Sequence, residues 1–168
     1  MVRHYYGERV AQRSQVPLLA HILEGLAVLA AIGASEQAMR AFCLHPLLQA
    51  DADLAENFLT VSEALSSVVD GAVVLALALE YRSVANEFLS DKLMPAAGIR
   101  LSPLKDVNNM LIADKVQNKK DFLIHHATTH ARREALATYF DHWLRALGVS
   151  DRYGQLAAHC GLVVGPGT

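Results

Sequence analysis

The chain has 168 residues, 52% of them apolar and 19% charged, enough for one globular domain that closes its own core. A formal net charge of −2 excludes the broad basic face that duplex nucleic acid requires, so any phosphate binding has to be local. The two cysteines, Cys43 and Cys160, make neither a disulfide framework nor a zinc-finger spacing, and "GAVVLALAL" is about half the length of a bilayer span. A cytoplasmic protein without a membrane partner is expected.

The N-terminal "MVRHYYGERV" lacks the apolar core of a secretion signal. From Pro17 to Ala31, Leu18, Leu19, Ile22, Leu23, Leu26, Val28 and Leu29 recur at helical spacing, and "IGAS" supplies a Gly stop followed by a Ser cap. A second helix is predicted from Ser35 to about His45. It should kink or restart at Pro46, which has no N–H and would clash with the carbonyl of Phe42. Further helices are predicted near Asp53 to Leu65, Val68 to Leu89, Leu104 to about Ile124 and Thr129 to Leu147, with "DKLMPAAGIRLSP" as the main loop. Alternating strand patterns hardly occur. The expected fold is all-α, a compact single helical bundle over residues 1–160, with residues 161–168 as a flexible tail.

Four places carry polar groups where apolar ones would pack better: His21, His45, "LIADKVQNKKDF" around Asp114, and "HHATTHARR". A single histidine on an apolar face is usually a hydrogen-bonded core residue rather than a ligand. His126 and His130 stand at i, i+4, but no Glu follows His126, so the zincin pattern is absent. Asp114 and Asn118, one turn apart, project to one helix face.

In order and spacing these segments resemble the HD hydrolase domain of RelA/SpoT-type proteins. "RSQVPLLAH" resembles the family's opening, "AFCLHPLLQ" the run that ends in the His-Asp pair, "MLIADKVQNKKDF" its Asp-Lys and Asn stretch, and "ATYFDHWLRALG" its closing helix. The resemblance implies a central pocket in which His21, His45 and Asp114 are metal ligands, typically for Mn²⁺. It implies substrate contacts at Arg13, Lys115, Asn118, Arg132 and Tyr139, with Lys119, Lys120 and Arg133 as further candidates for a phosphate patch.

The chain departs from the family at the fourth ligand, where Pro46 replaces the Asp, and at the catalytic acid pair, where Gln49 and Ala50 stand. A neutral amide is no general base near pH 7, although the Gln49 side-chain oxygen is a weak ligand. Three readings follow. The first is a degenerate domain that binds a small (pyro)phosphorylated nucleotide with lost or much reduced hydrolysis. The second is an active metal-dependent pyrophosphohydrolase with an altered metal shell. The third is a helical structural or interaction protein with a relic pocket. In the first reading as in the third, loss of the fourth ligand leaves little or no metal bound, and His21, His45 and Asp114 hydrogen-bond one another.

Overall fold

The computed structural model describes residues 5–7, 10, 16–90, 92, 94, 95 and 97–163. It is all-α. Among the described residues six long helices follow one another: α1 (Leu18–Ala31), α2 (Glu36–Leu48), α3 (Asp51–Leu65), α4 (Gly71–Glu87), α5 (Lys105–His125) and α6 (Arg133–Ala146). A 3₁₀ turn (Ser150–Arg152), the short α7 (Tyr153–Ala158) and a second 3₁₀ turn (His159–Val163) complete the order. Apart from one isolated bridge between Val10 and Pro17, the described residues form no β-structure. None of their helices is long and apolar enough to cross a membrane.

The end of α1 shows how local chemistry sets the boundaries. Gly33 takes a left-handed φ of 67° that a side chain would resist. The N–H of Gly33 bonds the Ala30 carbonyl and that of Ala34 the Leu29 carbonyl, so the last carbonyls of the helix are satisfied. Two residues later the Ser35 hydroxyl accepts from the Ala38 N–H at 3.0 Å and caps α2. The same hydroxyl donates to Asp106 Oδ2 at 2.8 Å and ties that cap to the first turn of α5.

α5 runs through the middle, packed against α1, α2, α4 and α6, while α2 lies mainly on α4. α1 and α2 approach closely because Gly25 has no side chain: a Cβ there would lie 2.3 Å from the ring atoms of Phe42. The core joins Phe42, Tyr81, Met110, Leu111, Trp143 and Leu144, all 0–1% exposed. Cys43 and Cys160 are both free.

Two expectations are corrected. α2 does not end or restart at Pro46; it continues through Leu47 and Leu48, and the new helix begins only at Asp51. Residues 161–163, assigned to a tail, belong to the last 3₁₀ turn, which packs on α1, whereas 164–168 lie outside the described residues.

Candidate metal centre

Three helices bring the first site residues together. His21 comes from α1 and is half-buried; His45 from α2 and Asp114 from α5 are 2% and 4% exposed. Their donor atoms all lie within 4.8 Å of one another. His21 Nε2 is 3.2 Å from His45 Nε2 and 3.5 Å from Asp114 Oδ1.

Each group is held by partners that fix its tautomer or its orientation. His45 Nδ1–H donates to the carbonyl of Phe42 at 2.6 Å. His21 Nδ1–H donates to Gln117 Oε1 at 2.7 Å. That amide cannot be turned round, because its NH₂ group donates to Glu24 Oε2 at 3.0 Å and to Asp121 Oδ2 at 2.7 Å, both acceptors. With both Nδ1 protons committed to carbonyl oxygens, the two Nε2 lone pairs face each other and Asp114. A proton or a cation has to lie between them.

The electrostatics point the same way. Burial, reinforced by His21, pulls the His45 pKa down to about 3, so this imidazole is neutral and free to ligate. Burial opposes ionisation of Asp114, but Lys115, with smaller help from His21 and His45, outweighs it and holds the carboxyl below its usual range. Lys115 is likewise opposed by burial and kept charged by Asp114, at 2.8 Å. Its ammonium also donates to the Tyr139 hydroxyl at 3.1 Å and lies 5.0 Å from the Trp143 ring centre. Asn118 Nδ2 donates to Asp114 Oδ1 at 2.8 Å and aims that oxygen. The Tyr81 hydroxyl, fully buried and facing Asp114, makes no hydrogen bond of acceptable geometry.

The donor set fits a divalent ion. Ligand atoms about 2.1 Å from a common ion sit roughly 3.0 Å apart at right angles and roughly 3.4 Å apart at tetrahedral angles, close to the two separations from His21 Nε2. Two imidazoles of fixed tautomer, each tied to a carbonyl or amide oxygen behind it, are the arrangement that metal-binding histidines require. Two nitrogens and one oxygen leave positions for water or substrate.

No family model, curated protein or solved structure matches the chain.

The site opens into a pocket of about 540 Å³ whose walls include His21, His45, Gln49, Asp114, Asn118 and Tyr139. Gln49 stands at its rim, with its backbone carbonyl accepting from Asn86 Nδ2 at 2.9 Å. The expected phosphate patch is not assembled. Lys115 is buried against Asp114; Lys119 pairs with Asp141 at 2.7 Å; Lys120 pairs with Glu24 at 2.6 Å and with Asp121 at 2.8 Å. Arg132 is exposed, bonds the Ser90 carbonyl and is not part of the pocket wall; Arg133 is exposed beside Glu134. Arg13 lies outside the described residues. His126 and His130 line the pocket, but α5 ends at His125, so they do not share a helix face; their ring centres are 6.0 Å apart.

Gln117, Glu24, Asp121 and Tyr81 were not singled out from sequence. A signal existed for the first two: Gln117 follows Asp114 by three residues and Glu24 follows His21 by three, the spacing that shares a helix face.

Proposed function

We propose that the chain is an HD-type metal-binding domain that holds a small phosphorylated ligand, a pyrophosphorylated nucleotide in the reading its motifs suggest, and hydrolyses it slowly or not at all. The observation that carries this reading is the convergence of two imidazole lone pairs and one ionised carboxylate on a common point, with every other polar atom of the three side chains already engaged.

His21, His45 and Asp114 would hold a divalent ion, which when bound supplies polarisation of a phosphoryl oxygen and a lowered pKa for bound water. The remaining work falls to the chain. Lys115 favours the ionised form of Asp114, and Asn118 orients the oxygen that faces the histidines. The Tyr139 hydroxyl, accepting from Lys115, presents its ring to the pocket. The pocket is within the range, about 300–1,000 Å³, that suits small molecules. At the expected acid positions, Gln49 offers an amide and Ala50 a methyl, so neither can take a proton from an attacking water. Binding without fast turnover follows.

A second reading, the active hydrolase with an altered shell, is favoured by the three-ligand donor set, because catalytic centres commonly keep a position open. One experiment separates the two. Wild type and His21→Ala are purified, their Mn, Fe and Zn content is measured, and nucleotide pyrophosphates are titrated with and without Mn²⁺. One ion per wild-type chain, lost in the variant, with metal-dependent ligand binding and negligible phosphate release, is the expected result. Rapid release by wild type establishes the hydrolase instead, and absence of metal binding at micromolar concentrations overturns both.

A further inference from the structure

Pro46 occupies the place from which α2 should donate a backbone N–H to the carbonyl of Phe42, four residues earlier, and proline has none to donate. That carbonyl lies beside a fully buried ring, where an acceptor without a partner is costly. His45 supplies the partner. A helical side chain leans back toward the N-terminus, so the imidazole at position 45 reaches the carbonyl at position 42, and Nδ1–H closes on it at 2.6 Å.

The proline is not acting as a helix terminator. Leu47 and Leu48 follow it in helical conformation and are 3% and 0% exposed, so the helix carries two more residues into the core beyond Pro46.

We propose that Pro46 is a positioning residue for His45: by withholding the helical N–H it reserves the Phe42 carbonyl for the imidazole and holds the Nδ1–H tautomer, with the Nε2 lone pair turned to His21 and Asp114. A backbone N–H at position 46 would draw the same carbonyl along the helix axis and compete with Nδ1–H for it, freeing the ring to place its proton on Nε2. That tautomer cannot ligate through Nε2. The consequence for metal affinity rests on the metal-binding reading above; the tautomer itself does not.

The test uses the full chain with Pro46→Ala and Pro46→Gly, both of which restore the N–H, the one stiffening the helix and the other loosening it. Long-range ¹H–¹⁵N correlation spectra of the metal-free proteins report the His45 tautomer, and Co²⁺ titration followed by d–d absorption reports affinity. Wild type shows the Nδ1–H form; both variants shift toward Nε2–H, and Co²⁺ binds about tenfold more weakly, as loss of an outer-shell partner generally causes. The thermal midpoint of Pro46→Ala stays level or rises while its affinity falls, opposite signs that a purely structural proline would not produce. An unchanged tautomer in both variants, or an Nε2–H wild type, overturns the proposal. If the tautomer shifts as stated but no variant, wild type included, binds Co²⁺, the role of Pro46 stands and the metal-binding reading fails.

Discussion

α5 and α3 treat side chains in opposite ways. α5 buries Asn109, Asp114, Lys115 and Gln117, whereas α3 buries Val61 and leaves Phe58 and Leu59 at 36% and 78% exposure. The turn after α3 continues the pattern, with Val68 and Val69 exposed. Position in the bundle, not hydropathy, decides these fates. α5 is surrounded by four other long helices and finds partners for Asp114, Lys115 and Gln117, while α3 touches α2 and α4. Charge goes inside where partners are supplied, and apolar groups stay outside where none of the described elements covers them.

The strongest way to break this contrast is to remove one member of the buried pair. Asp114→Asn should cost about 3–5 kcal/mol, because Lys115 would remain charged, buried and held by the Tyr139 hydroxyl without a counter-ion. Urea denaturation of metal-free protein measures it. A loss below about 1 kcal/mol would show that water, not Asp114, serves Lys115.

A smaller effect concerns acidity. The unfolded chain protonates His45 near pH 6.5, whereas the folded chain resists protonation down to about 3. Between those values the unfolded state binds the extra proton, so the stabilising contribution is complete above pH 6.5 and declines as pH falls. The slope reaches about 1.4 kcal/mol per pH unit for one proton. Thermal unfolding of metal-free wild type and His45→Gln from pH 7 to pH 5 should show that slope in wild type and lose it in the variant. Equal slopes would place the sensitivity elsewhere.

The smallest effect sharpens the other side. Leu59→Ser and Val69→Ser should change stability by no more than about 0.5 kcal/mol, since both side chains already face solvent. If either costs more than about 1 kcal/mol, with a midpoint that depends on protein concentration, another surface covers this face in solution.

The same contrast explains what could be read from the chain. The six long helices and their order were legible because apolar spacing and the Gly33–Ser35 stop and cap are local signals, whereas the short α7 has no counterpart among the predicted helices. His21, His45 and Asp114 could be named because each interrupts an apolar pattern. The support around them was not legible: the Gln117–His21 and Gln117–Glu24 bonds join residues 96 and 93 apart, a relation no local pattern encodes. The lysines misled for a related reason. A lysine in a helical run looks like a solvated or phosphate-seeking group until the carboxylate that claims it is seen across the bundle, as Glu24 claims Lys120. Leu59 misled in reverse, since helical spacing marks an apolar stripe without showing whether anything packs on it.

Gly25 extends this lesson to the dimensions of the centre. It lies one turn past His21, and the ring it admits, Phe42, lies just under one turn before His45. The 3.2 Å between the two imidazoles is therefore a packing distance before it is a coordination distance. A single methyl group at position 25 would act as a wedge near the fulcrum of the two helices, and the gap between the nitrogens would register it as a change of ligand spacing.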